Sequence, residues 1–151
     1  MGTLGQLSRN LEKLNEKAIV DALFSAVKKA EDEFIRLNKS QLAQGEDYLG
    51  NIVGVYAKDT QWYADYEGVS VPKTAGDPYN FSWTDDFYKG FELTIKGDEA
   101  VISSKGVGSG SKKNFLINSN LFGLNNENLD KVIKDEILPF LLKFSRKTLN
   151  I

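Results

Sequence analysis

Between Gln6 and Gln44 the chain has neither glycine nor proline. A stretch of roughly 40 residues without a breaker is long for one globular helix, whose mean is about 11–12 residues. Its apolar positions follow helical spacing. Leu4, Leu7, Leu11 and Leu14 step by three or four, and Ala18, Ala22, Ala26, Ala30, Phe34 and Leu37 continue the stripe. Charged residues occupy the flanks. The pattern predicts a long N-terminal helical segment over 1–45 that ends at Gly45, a natural C-cap, with a break near Asn15 or Asn38. Leu4–Leu14 either folds back on its own domain or extends as an arm onto a neighbour.

Beyond Gly45 the pattern changes. Asn51–Lys58 (NIVGVYAK) is β-branched and aromatic, which predicts a strand. Phe87–Lys105 (FYKGFELTIKGDEAVISSK) predicts a hairpin around Gly97-Asp98, a two-residue turn of the glycine-first kind. That register sets Ile95 opposite Ala100, Leu93 opposite Ile102 and Phe91 opposite Ser104, all on one face. A second helix over 125–148 opens at Asn125-Asn126. Its apolar face is Leu129, Val132, Ile133, Ile137, Phe140, Leu141 and Phe144, and Pro139 should kink or restart it. Lys143, Arg146 and Lys147 gather in its last turns, where they suit the helix dipole. The expected fold is a single α+β domain spanning 1–151. It combines a long N-terminal helix, an antiparallel sheet with a β-hairpin over 48–105, and a C-terminal helix packed on the sheet.

Composition bounds the chemistry. The chain has 151 residues, no cysteine and no histidine. Disulfides, thiolate nucleophiles, Ser–His–Asp and Cys–His catalysis and histidine metal sites are therefore excluded. An enzyme would depend on carboxylate, lysine or tyrosine chemistry, or on a hard metal. Asp85, Asp86, Glu92, Asp65 and Glu67 are the acids from which such a site could be drawn, but their spacing implies no convergence. No cofactor is expected. GVGSGSKK, from Gly106 to Lys113, fails the phosphate-loop spacing because Ser111 stands where the second glycine belongs. Gly106, Gly108, Gly110, Lys112 and Lys113 read as a mobile connecting loop that a partner could order. Asn38-Lys39-Ser40 and Asn80-Phe81-Ser82 match the glycosylation triplet, which means little without a secretory signal. No apolar run approaches a membrane span, and no membrane partner is expected.

The net charge of −2 conceals a gradient. Residues 1–47 carry seven basic and eight acidic side chains, residues 48–104 four and nine, and residues 105–151 eight and four. Within the acidic middle, Asp59–Asp86 lacks steady periodicity yet contains Trp62, Tyr63, Tyr66, Tyr79, Phe81 and Trp83. Aromatics among acids suit a protein interface and oppose nucleic-acid binding, which needs them beside cations. These six rings either serve a second small core or anchor a neighbouring subunit; they are the candidate interface, with at least two of them expected to contact another chain. The flanking acids Asp59, Asp65, Glu67, Asp77, Asp85 and Asp86 would meet the basic surface of 105–151 on the next copy.

Three stretches also carry a resemblance: QLAQGEDYLG (Gln41–Gly50), TDDFYKGFELTIKGDEAVISSK (Thr84–Lys105) and Leu121–Lys147, which opens LFGLNNENLDK. Together with the long N-terminal helix and Lys58, Thr60 and Lys73, this order resembles the small neck or tail-completion (head–tail connector) proteins of tailed bacteriophages. In that family an aspartate-threonine-glycine turn precedes a strand, and a short FGL-like segment leads into the last helix. Asp85-Asp86 stands where the family pattern favours glycine. The resemblance implies a structural virion subunit, assembled in the bacterial host cytoplasm, that forms a ring of copies of itself between portal and tail proteins. It implies no catalytic residue. The competing readings are a carboxylate- or metal-dependent hydrolase, which would need Asp86 and Glu92, and a small cytoplasmic adaptor or secretion chaperone.

Overall fold

The computed structural model describes residues 4–105 and 119–151. The expected loop Gly106–Lys113 lies outside the described residues. The N-terminal segment forms three helices: α1 (Leu4–Lys13), α2 (Glu16–Lys29) and α3 (Glu31–Ala43). The first break falls at Asn15, whose side chain caps α2 by accepting the Ala18 N–H at 2.9 Å. The second falls at Ala30 and not at Asn38. Lys28 and Lys29 end α2, and Glu31, Asp32 and Glu33 begin α3. Cations at a C-terminus followed by acids at an N-terminus favour two helix dipoles over one continuous helix. After α3, Gly45 takes φ +79°. A Cβ there would come within 2.5 Å of the Pro78 Cβ, so the helix ends where only glycine fits.

α1 rests against α7 and donates from the Asn10 amide to the Leu149 carbonyl at 3.2 Å, but none of its residues is buried. It folds back onto its own domain while Leu4, Leu7 and Leu11 still face outward.

Asn51–Lys58 is not a regular strand. It makes isolated bridges, Glu46 with Ile52 and Val55 with Pro78, and hydrogen-bonds to loops on both sides. Gly54 explains the irregularity: the Tyr79 ring occupies the space a Cβ would need, so the backbone bends around the ring. The next segment forms α4 (Lys58–Glu67) where irregular chain was expected, and Gly68 closes it at φ +65°. Only Ala64 is buried in it, which is why no apolar period marked it.

The short α5 (Asp86–Lys89) leads into β1 (Phe91–Lys96) and β2 (Glu99–Ser104). These pair antiparallel with Leu93 opposite Ile102 and Phe91 opposite Ser104, the expected register. In the turn Gly97 alone has positive φ, the glycine-first geometry. A 3₁₀ turn at Ser119–Leu121 precedes α6 (Asn126–Val132), capped by Asn125. A π segment, Ile133–Ile137, then joins α6 to α7 (Leu138–Leu149). Pro139 causes it. Proline cannot donate to the preceding turn, and the helix widens so that the Leu138 N–H reaches the Ile133 carbonyl five residues back.

One core joins α2, α3, α5, the hairpin and the C-terminal helix. Val27, Phe34, Leu37 and Leu42 from α2 and α3 meet Phe87, Phe91, Leu93 and Ile102 around the hairpin. Leu121, Val132 and Ile137 bring in the C-terminal helix. α3 lies directly along β1.

Candidate functional site

α4 is anchored by one small residue, and this decides what it exposes. Ala64 faces inward at 3% exposure, while Trp62, Tyr63 and Tyr66 point outward at 68%, 49% and 75%. Trp62 and Tyr66, one turn apart, stack with centroids 5.8 Å apart and 12° between planes. Tyr63 stacks at 5.9 Å on the half-buried Trp83. Three of the six candidate rings therefore form an outward aromatic face, with the half-buried Trp83 stacked against it. The other two turn inward. Phe81 is buried and Tyr79 packs on the core, their rings 6.2 Å apart in an edge contact. Phe81 reaches the core by adopting φ +53°, a costly conformation for an aromatic residue.

The face is held by a polar knot that the sequence did not reveal. Asn80 is its hub. Its side-chain oxygen accepts from the Lys73 Nζ and from the Tyr56 hydroxyl at 2.9 Å. Its N–H donates to the Tyr56 oxygen at 3.0 Å, and its carbonyl accepts the Tyr88 hydroxyl at 2.7 Å. The Asn80 amide also donates to the Pro72 carbonyl at 3.2 Å. Lys73 is 2% exposed, and its ammonium lies 5.6 Å from the Tyr56 ring centroid. Burial lowers the Lys73 pKa, against the opposing pull of the Asp85 carboxylate. Burial likewise raises the Tyr56 and Tyr88 phenols above the usual tyrosine range. This network ties the chain leading to Trp83 against the rest of the domain. Lysine is ordinarily exposed, so residue type gave no hint of it.

The acids separate. Asp59, Asp65 and Glu67 are exposed on α4 with the rings, and Asp77 is exposed on the chain before Pro78. Asp85 accepts from the Ser82 hydroxyl, and Asp86 accepts from Thr84 at 2.7 Å. Glu92 pairs instead with Lys105 at 2.7 Å on the hairpin. Among the described residues no three carboxylates converge on a point that could hold a metal ion. No described helix is long and apolar enough to cross a membrane. With an outward aromatic face and dispersed acids, the arrangement suits recognition of another protein surface. No protein-family model, curated protein or solved structure matches the chain.

Proposed function

We propose that this protein is a structural assembly subunit of a tailed-phage neck, a head–tail connector or tail-completion protein that joins portal and tail by protein–protein contacts. The observation that carries the reading is the Trp62–Tyr66 stack on the outer face of α4. Two large rings laid side by side in water, with a second stack beside them, form the kind of patch that binding proteins expose and bury on assembly. The backbone at Asp85 adds support for the resemblance. It takes φ +59°, the left-handed conformation that glycine favours, within the Asp85-Asp86 pair that stands where the neck-protein pattern favours glycine.

The test is genetic and biochemical. Disrupting the gene in the phage-producing host should yield DNA-filled heads and free tails that do not join. Restoring the native chain should restore joining, and Asp86→Asn with Glu92→Gln should restore it equally well. The Trp62→Ala, Tyr66→Ala double variant should fold and fail to restore it. Complete tailed particles in the absence of the chain would sink the proposal.

A further inference from the structure

We infer that the aromatic face of α4 docks on the outer face of α7 of a second copy of this chain, head to tail. The inference rests on the assembly role proposed above and names the partner surface.

Four observations support the pairing. First, α7 exposes an apolar ridge at the same spacing as the aromatic one: Leu138 and Leu142, 46% and 56% exposed, stand one turn apart as Trp62 and Tyr66 do. Residues four apart form the ridges that interlock when two helices pack. Second, the charges are complementary. Asp59, Asp65 and Glu67 surround the rings, offset by Lys58 alone, whereas α7 carries Lys143, Arg146 and Lys147 and no acid. The preceding turn holds Lys134 against Asp135 and Glu136. Third, none of those three cations and none of those three acids forms an ion pair with a described residue, so both sets are available to a neighbour. Fourth, guanidinium and ammonium groups favour the faces of Trp and Tyr, so Arg146 and Lys143 suit the ring stack as well as its acidic rim.

The two surfaces belong to different parts of the fold. α7 packs against α1 and α2, whereas α4 is joined to the Lys73–Trp83 side through the Gln61–Ala75 hydrogen bond and the Tyr63–Trp83 stack. Pairing unlike surfaces is heterologous and propagates into a ring if the rotation closes.

The experiment uses the full chain and follows mass against concentration by sedimentation. The native protein should self-associate, and more weakly as salt rises. Trp62→Ala with Tyr66→Ala should weaken association at least about ten-fold, as should Leu142→Glu with Arg146→Glu, and both variants should keep the native melting transition. Each double variant retains one sound face. Mixed, they should form 1:1 dimers that grow no further. A native chain that stays monomeric up to about 1 mM overturns the pairing, as do a loss confined to one face and a mixture that forms no dimer. If α4 variants block the joining of heads to tails while the native chain stays monomeric, the copy-to-copy contact falls and the assembly role stands. If head–tail joining does not need the chain but the 1:1 dimers form, the assembly role falls and the contact stands.

Discussion

Asn38 and Gly123 are joined in both directions. The Asn38 amide donates to the Gly123 carbonyl at 2.9 Å, and its side-chain oxygen accepts the Gly123 N–H at 3.3 Å. The same amide donates to the Leu121 carbonyl at 3.0 Å, and Gln41, one turn on, accepts the Asn125 N–H at 2.9 Å. α3 thereby clamps the LFGLN segment that launches the C-terminal helix. Asn38→Leu fills the space but takes from the Leu121 carbonyl and the Gly123 N–H the partner that Asn38 supplied, at about 1–3 kcal/mol each, and leaves the Gly123 carbonyl only the longer 3.4 Å bond from the Gln41 amide. The variant should lose about 3 kcal/mol or more in urea unfolding. A loss under about 1 kcal/mol would mean that the clamp contributes little.

Leu93 and Ile102 face each other across the hairpin at 2% and 8% exposure, inside the common core. Leu93→Ala should cost about 2–5 kcal/mol, as buried leucine truncations do. Ile95, in the same row but 37% exposed near the turn, should cost less when cut to alanine. Equal losses at the two positions would contradict the burial gradient along β1.

Asp85→Gly and Asp85→Ala both remove the carboxylate that holds Ser82, so their difference isolates the backbone. At φ +59° the alanine pays a left-handed penalty that glycine avoids. The glycine variant should be the more stable by about 1 kcal/mol in parallel thermal melts. Equal stability would show that the turn relaxes once the side chain is gone.

Lys73 gives the protein a pH signature. Its folded pKa lies below the usual lysine value of 10.5, so in the window just under 10.5 the unfolded chain holds more protons than the folded one. Stability then rises with pH across that window. The stability difference between the native protein and Lys73→Met should shift in favour of the native protein as pH climbs toward 10.5. Tyr56 and Tyr88, whose raised values act above pH 10 in the opposite sense, are present in both proteins and largely cancel. A difference that stays flat with pH would mean that the amine keeps its hydration.

What the sequence determined by itself was local. The hairpin register followed from Gly97-Asp98 and strict alternation, the Asn15 and Asn125 caps from side chains that bond within three residues, and the Pro139 disturbance from a missing N–H. Tertiary structure decided the rest. Of the two positions offered for a break, Asn15 took it; at Asn38 distant carbonyls hold the side-chain amide and α3 runs on through it. The strand expected at Asn51–Lys58 became an irregular segment because Tyr79 occupies the space beside Gly54. The six clustered aromatics divided into Tyr79 and Phe81 inside, Trp62, Tyr63 and Tyr66 facing outward, and Trp83 half-buried against Tyr63. Composition cannot make that division. It depends on which side of α4 the small Ala64 buries and on how the bonds of Tyr56 and Lys73 to Asn80 turn the following chain, and no local periodicity encodes either.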